Sequence, residues 1–303
     1  MISVQLQQIT SFLAIVDSGS VRGAARRLQV SQPGLTKSLR LLETALGTQL
    51  LVRGARGVSL TATGELFVVR ARAVHEELKR AENELAELAG RRAGTAALGV
   101  ASMVGALLVP GTLQRFKSKR PEVSIGIVEG TQESLLPLVR QGTIDMAACL
   151  RSEAEAASGF LVKPLAKIRP VIVGRTGHPL RHVRTLEGLQ NAQWLMIRPR
   201  GGLGLLEQVF AQRGLAIPTS AVHCGNQGIQ IAILAESDAL ALMPRQTLHQ
   251  SFTGKVLQEI ALDEPMPLLT LALYSRADVP LTALASQLAS ALATTARQVL
   301  RMA

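Results

Sequence analysis

A helix that begins with proline and glycine constrains the fold of this chain more than any other feature. In residues 24–43, AARRLQVSQPGLTKSLRLLE, leucines recur at the spacing of one helical face, although Pro33 and Gly34 directly precede them. With Ser31 as N-cap, Pro33 falls in the first turn, where its missing N–H breaks no intrahelical hydrogen bond. Gly34 has no side chain, so a partner can approach the start of the helix closely. The predicted inward-facing side chains are Leu35, Leu39, Leu42 and Leu46.

Two shorter helices precede this one. Periodic apolar residues predict helices that begin near Leu6 and Val21, and Ser18-Gly19-Ser20 separates them with Ser20 as the second N-cap. Three helices with a tight connection before the third are typical of a helix-turn-helix, whose last helix enters the DNA major groove. The outward side chains predicted to contact DNA are Ser31, Gln32, Pro33, Thr36, Lys37 and Arg40.

Side-chain chemistry suggests a role for each of these residues. An amide pairs with adenine and an ammonium reaches guanine, which suits Gln32 and Lys37. Pro33 or Thr36 can touch a thymine methyl group. Ser31 and Arg40 are predicted to hold phosphate instead.

A basic hairpin follows the third helix. LLVRGARGVSL alternates around Arg53-Gly54-Ala55-Arg56-Gly57, which predicts a two-stranded wing whose Arg53 and Arg56 contact the DNA backbone or minor groove. Residues 1–64 contain seven Lys or Arg against Asp17 and Glu43, a density that suits phosphate contacts. A solvated basic face on an ordinary helical domain is the alternative.

Residues 61–92 are predicted to form one long helix and a polar hinge, Gly90-Arg91-Arg92-Ala93-Gly94. Apolar residues seven apart form a short seam that two copies can share, as helix-turn-helix proteins commonly dimerise on two half-sites. Packing of this helix on its own domain is the alternative. The seam consists of Ala71, Val74, Leu78, Ala81, Leu85 and Leu88.

From residue 95 the pattern changes to strands alternating with helices, which predicts an α/β domain with parallel strands and a ligand site at their carboxyl ends. Residues 94–114 carry no charge, but Gly99, Gly105, Pro110 and Gly111 interrupt them, so a buried strand and a helix start explain them better than a membrane span. Strands are predicted at 96–101, 123–129, 144–150, 169–174, 193–197, 221–224, 239–243 and 268–274, and helices at 107–119, 132–141, 203–213, 227–236 and 281–301.

Composition narrows the function further. The 303 residues carry 33 basic and 22 acidic side chains, a formal net charge of +11 that favours an anionic partner. Cys149 and Cys224 form no CxxC pair, and MISVQLQQIT does not resemble a signal peptide, so we expect a cytoplasmic protein without a membrane partner.

The sequence contains no motif that is typical of an enzyme. The five histidines are scattered, Pro179 disrupts any helical pairing of His178 with His182, and no HExxH, GxSxG, P-loop or paired-carboxylate pattern occurs. We therefore expect no enzyme, no catalytic residue, no metal and no cofactor. A small-molecule-binding protein, or a redox sensor using Cys149 and Cys224, whose DNA-binding module is not its main activity is the alternative.

The first 65 residues resemble LysR-type transcriptional regulators, in GSVRGAARRLQVSQPGLTKSLRLLETALGTQLLVR and GVSLTATGE. The segments VPGTLQRFKSKRPEVSIGIVEGTQESLLPLVRQGTIDMAAC and SDALALMPR extend the resemblance over nearly the whole chain. It implies a winged helix-turn-helix (1–60), a dimerising linker helix (61–92) and a two-lobed periplasmic-binding-protein-like (type II) α/β effector domain (93–303). Lobe one would span about 93–163 and 269–303, and lobe two about 164–268.

The resemblance also implies partners and a ligand site. Members usually bind promoter DNA as homodimers or homotetramers, contact RNA polymerase when they activate, and respond to a small molecule between the lobes. For this chain we expect a small organic anion, because helix N-termini and arginines attract anions. The PRGGLG segment resembles regulators of aromatic-acid breakdown, which implies an aromatic carboxylate or sulfonate. Gly23 and Gly34 depart from the family pattern, which leaves the operator open. The expected effector-binding residues are Ser102, Met103, Thr131, Gln132, Arg198, Pro199, Arg200, Gly201, Gly202, Asn226 and Gln227.

Overall fold

Contacts between Cα atoms divide the chain into two compact units. One unit is Met1–Arg92 with the short segment Arg140–Thr143, and the other is Ala93–Val139 with Ile144–Ala303. The computed structural model describes residues 4–54, 57–89, 94–151, 158–196, 204–218, 221–250, 252–264 and 266–300.

The first unit is a three-helix domain with a hairpin and a long helix. Its core is built by apolar side chains of α1 and α3, with Phe12, Ile15 and Leu42 each 0% exposed and Leu35 2% exposed. The elements are α1 (Leu6–Ser18), α2 (Val21–Leu28), α3 (Gln32–Leu46), β1 (Leu51–Gly54), β2 (Gly57–Leu60) and α4 (Ala62–Leu88).

Serine caps position α2 and α3, as the sequence predicted. The hydroxyl oxygen of Ser20 accepts from Gly23 N at 3.1 Å, and that of Ser31 accepts from Gly34 N at 3.2 Å. Between the two helices, Gln29 adopts φ 56°, a left-handed conformation that a side chain disfavours. This residue makes the sharp turn that directs α3 away from α2.

The hairpin is held against the helices through backbone groups. Glu43 of α3 accepts from Leu50 N at 2.8 Å and from Leu51 N at 3.3 Å. Val58 N donates to the carbonyl oxygen of Gly19 at 2.9 Å, and a Cβ on Gly57 would stand only 2.6 Å from that same oxygen. The wing therefore has a fixed position on the helix-turn-helix.

The second unit contains two five-stranded sheets, one in each lobe. Lobe one has the strand order β4-β3-β5-β12-β6 and lobe two the order β11-β7-β10-β8-β9. In chain order the elements are β3 (Thr95–Ala101), α5 (Ser102–Lys117), β4 (Ser124–Gly130), α6 (Gln132–Gln141), β5 (Met146–Arg151), β6 (Phe160–Ile168), β7 (Pro170–Arg175), β8 (Gln193–Met196), α7 (Leu205–Gln212), β9 (Ala221–His223), α8 (Gln227–Ala235), β10 (Ala239–Pro244), α9 (Thr253–Val256), β11 (Leu257–Ile260), β12 (Leu269–Arg276) and α10 (Ala283–Leu300).

The prediction of parallel strands is confirmed for only part of each sheet, where β3 pairs with β4 and β5, and β8 with β9 and β10. The strands β12 and β7 run antiparallel to both of their neighbours, because the chain crosses between the lobes twice and returns in the opposite direction. Lobe one also reaches Ile168, which pairs with Leu269, so the predicted boundary at 163 falls inside β6. Neither β6 nor β11 was predicted from the sequence.

The helix α5 begins five residues earlier than predicted. It starts at Ser102 and continues through Pro110, whose missing N–H leaves the carbonyl oxygen of Ala106 without its helical donor. Gln250 of lobe two supplies a donor instead, with its Nε2 at 3.2 Å from that oxygen. Among the described residues, no helix is both long and apolar enough to cross a membrane.

Candidate nucleic-acid interface and ligand cleft

The structure places the predicted DNA-contacting side chains on the outer side of α3. Thr36 is half-buried, whereas Leu35 and Leu39 point into the core with at most 5% exposure. The helix start is tightly built, since a Cβ on Gly34 would stand 3.0 Å from the capping hydroxyl of Ser31. The exposed members are Ser31, Gln32, Pro33, Lys37 and Arg40.

Helix α2 exposes further cations. Arg22 and Arg26 are exposed and one helical turn apart, although neither was among the residues predicted to contact DNA. Arg27 is paired with Asp17 at 3.5 Å. Arg53 is in β1 opposite Val58, but its side chain and the whole of Arg56 lie outside the described part of the chain.

The predicted pairing seam on α4 is only partly available to a second copy. Ala71 is 1% exposed and packs into the core of its own domain, so its placement in the seam is corrected. Val74, Leu78 and Leu85 are 51%, 40% and 64% exposed, and Ala81 is exposed as well. The side chain of Leu88 lies outside the described residues.

Four strands of the second unit are each followed along the chain by a helix, and the starts of these helices define the candidate ligand cleft. In lobe one β3 leads into α5 and β4 into α6, while in lobe two β8 precedes α7 and β9 precedes α8. Helix N-termini carry free N–H groups and a partial positive charge, so together they favour an anion.

Two of the predicted effector residues bury polar groups that have no protein partner among the described residues. Ser102, the first residue of α5, is 4% exposed and its Oγ has no hydrogen-bond partner. Gln227, the first residue of α8, is 5% exposed and neither atom of its side-chain amide is paired. Buried polar groups are normally hydrogen-bonded, so a ligand or water is expected beside them.

Two other predicted effector residues are engaged in capping their own helices. The carbonyl oxygen of Thr131 accepts from Leu135 N at 3.0 Å, and the Thr131 N–H donates to the Ser134 hydroxyl at 3.0 Å. Asn226 is exposed, and its Oδ1 accepts from Ile229 N at 2.9 Å.

The remaining predicted effector residues give little further information about the ligand site. Gln132 is half-buried at the start of α6, and the side chain of Met103 is not described. The predicted Arg198, Pro199, Arg200, Gly201 and Gly202 lie outside the described residues.

One acidic residue of the cleft was not predicted from the sequence. Glu129, two residues before Thr131 on β4, accepts from the backbone N–H of Gln227 at 3.5 Å and so joins lobe one to the start of α8 in lobe two. Its position at the end of a strand was a signal, because alternate residues share a face. Its partner, 98 residues further along the chain, could not be identified from local patterns.

Histidines and cysteines of the second unit have structural environments. His178 is 1% exposed; its Nε2 lies 3.0 Å from the Asp238 carbonyl oxygen, and its Nδ1 accepts from Leu180 N at 3.0 Å. Cys149 is fully buried in lobe one, and the Sγ of Cys224 lies 3.5 Å from a backbone oxygen. Within the described ranges, no group of three His, Cys, Asp or Glu could hold a metal ion.

A winged helix-turn-helix followed by a two-lobed domain with a polar cleft defines a DNA-binding protein that responds to a ligand. The family model for the bacterial regulatory helix-turn-helix protein, lysR family, matches residues 6–65, and that for the LysR substrate binding domain matches residues 89–297. The chain therefore belongs to the LysR family of transcriptional regulators.

Similar proteins agree with this assignment. The SDS degradation transcriptional activation protein of Pseudomonas sp. is 31% identical over 246 residues, which covers 79% of this chain and 78% of the relative. The HTH-type transcriptional regulator TdcA of Escherichia coli is 26% identical over 246 residues, or 81% and 75% of the two chains. The solved structure of full-length CbnR with its target DNA shares the fold at TM-score 0.67 and 18% identity, over 96% and 99% of the chains.

Proposed function

We propose that the protein regulates transcription by binding promoter DNA as an oligomer, and that a small organic anion in the cleft between the lobes controls this binding. The observation that carries the DNA-binding part is the exposed polar and basic face of α3 in a domain that also exposes arginines on α2. The proposal includes no enzymatic activity, cofactor or resident metal.

The start of α3 suits the major groove for steric and electrostatic reasons. Pro33 and Gly34 leave little bulk there, and the exposed Gln32 and Lys37 carry the donors that read adenine and guanine. Arg40 lies one turn further along the same face and would reach phosphate. CbnR, which shares this fold, has been solved in complex with its target DNA.

Oligomerisation is proposed to use the exposed part of α4. Val74, Leu78 and Leu85 place apolar surface on a helix whose other exposed side chains are mostly polar, and such a stripe is stabilised when a second copy covers it. Two copies would present two α3 helices to two half-sites of one operator. Contact with RNA polymerase is proposed only if the protein activates transcription.

The ligand part of the proposal rests on the helix N-termini and the buried Ser102 and Gln227. Hydroxyl and amide donors beside the starts of α5 and α8 suit a carboxylate or sulfonate group. A redox sensor is not favoured, because Cys149 is 0% exposed in the core of lobe one.

DNA titration with a matched pair of variants tests the DNA-binding part. Lys37→Ala removes a charge from α3, and Lys119→Ala removes the same charge from an exposed position after α5. By fluorescence anisotropy on the chain's own upstream DNA and on scrambled DNA, Lys37→Ala is expected to reduce discrimination by about 1–3 kcal/mol, the value of a base contact.

Lys119→Ala is expected to leave that discrimination at the wild-type value. If Lys37→Ala also leaves it unchanged, α3 does not read bases through Lys37. If the wild-type protein binds both DNAs equally at physiological salt, the regulatory function itself is wrong.

A further inference from the structure

We propose that Glu129 is an internal anion that occupies the N-terminus of α8 in the unliganded protein, and that an anionic effector must displace it. This inference rests on the proposed function, because it concerns the same cleft. It assigns to Glu129 a role in effector specificity.

The geometry places the carboxylate where an anion is most stabilised. Its Oε1 accepts from Gln227 N, the first N–H of a nine-residue helix, at 3.5 Å. The partial positive charge of a helix is concentrated at these first N–H groups, which otherwise have no intrahelical partner. Glu129 thus satisfies one of them with a negative charge from the opposite lobe.

The same site contains independent evidence for a missing polar ligand. The side-chain amide of Gln227, 5% exposed, has no hydrogen-bond partner among the described residues, although its backbone N–H is engaged by Glu129. Across the cleft in lobe one, the buried hydroxyl of Ser102 also lacks one. A carboxylate or sulfonate bound at the start of α8 would accept from the Gln227 amide, with which the Glu129 carboxylate does not pair.

Exposure makes the displacement feasible. Glu129 is exposed and its hydrogen bond is long, so the side chain can leave α8 and become hydrated without uncovering a buried charge. An anion that enters while the carboxylate remains would be repelled by it. The cleft therefore selects ligands whose negative charge interacts with α8 more strongly than Glu129 does, and it disfavours weaker ones.

The experiment uses inorganic sulfate as the probe and the full chain as the protein. Titration calorimetry at constant ionic strength, with chloride as the exchanged anion, gives the sulfate Kd for the wild type and for Glu129→Gln. The amide keeps the size and an acceptor oxygen but removes the charge, so sulfate is expected to bind the variant about threefold to tenfold more tightly. Glu129→Asp retracts the charge from α8 and is expected to give an intermediate Kd.

A matched variant separates charge from loosening of the lobes. Gln250→Ala removes the other hydrogen bond described here between the lobes, that to the Ala106 carbonyl oxygen, without changing any charge. Its sulfate Kd is expected to equal that of the wild type. An equal gain in Gln250→Ala and Glu129→Gln would overturn the proposal, because lobe opening would then explain both.

Ser102→Ala distinguishes the failure of this inference from the failure of the proposed ligand site. If Ser102→Ala weakens sulfate binding but Glu129→Gln does not strengthen it, the proposed ligand site in the cleft is supported and the role of Glu129 is refuted. If neither substitution changes the affinity, sulfate binds elsewhere and both are refuted. Absence of sulfate binding to Glu129→Gln also refutes the role of Glu129, since the freed N-terminus should then bind an anion.

Discussion

Gly64 offers a sharp test of how the wing and α4 are joined, because two effects of opposite sign compete there. Alanine is favoured over glycine inside a helix by up to about 1 kcal/mol, so Gly64→Ala would stabilise a freely accessible helix. In this structure, however, a Cβ at Gly64 would stand 2.0 Å from the carbonyl oxygen of Leu50, far below the 3.0 Å that such contacts keep.

The backbone of Leu50 cannot yield cheaply. Its carbonyl oxygen accepts from Thr61 N at 3.0 Å, its N–H donates to Glu43 at 2.8 Å, and its side chain is 1% exposed. Overpacking costs about 1–3 kcal/mol, and each hydrogen bond lost adds about 1 kcal/mol. After the gain in helix propensity is subtracted and the loss of both hydrogen bonds of Leu50 is added, Gly64→Ala is expected to destabilise the DNA-binding unit by about 2–4 kcal/mol.

Calorimetric unfolding of the full chain measures this effect through the transition of the first unit. For a domain of this size about 1 kcal/mol corresponds to 4–8 °C, so its Tm is expected to fall by at least about 8 °C. Gly54→Ala is the matched control, because it adds the same methyl group in β1 where a Cβ meets nothing within 4 Å. If Gly64→Ala raises the Tm, or leaves it within about 2 °C of the control, the steric argument is wrong.

Three further predictions concern the first unit. Gln29→Gly relieves the left-handed strain and should raise the free energy of unfolding by about 0.5–1 kcal/mol in denaturant titration, whereas Gln29→Ala should not. The double variant Val74→Glu, Leu85→Glu should reduce the oligomer mass seen by light scattering, and Leu161→Glu, on an equally exposed leucine of lobe one, should leave it unchanged. Glu43→Gln should cost about 1 kcal/mol of stability, because a charged acceptor of two N–H groups becomes neutral; an unchanged unfolding curve would contradict this reading.

The helix-turn-helix was predictable because its determinants are local. Each serine cap, and the proline in the first turn of α3, acts on groups within four residues of itself, and all three appear in the structure as predicted. The partners of Glu43 and Gly64 were not predictable in this way. Their contacts cross from one element to another over seven and fourteen residues, and nothing in the local pattern of either residue identifies Leu50 as the neighbour.

The ligand cleft was predicted only in outline. The resemblance to the family implied a cleft between the lobes, where the rule that ligands bind at the carboxyl ends of strands also applies, and the expected residues Ser102 and Gln227 both prove to bury polar groups. The rule could not give strand direction after a crossing between lobes, so the antiparallel β7 and β12 were missed. It also could not indicate that an acid, Glu129, faces the helix start where an anion was expected.

Pro110 disfavours a helix in the local sequence pattern, yet in the structure it lies inside α5 and gives rise to a contact between the two lobes. An interior proline costs a helix about 3 kcal/mol, partly because one carbonyl loses its donor. Here that carbonyl, on Ala106, accepts from Gln250 of the other lobe, so the defect in α5 becomes a contact between lobes. Like the bond from Gln227 to Glu129, it contributes on the order of 1 kcal/mol. A ligand whose affinity for two lobe arrangements differs by 1–3 kcal/mol, as is typical of allosteric coupling, is strong enough to break or replace either contact.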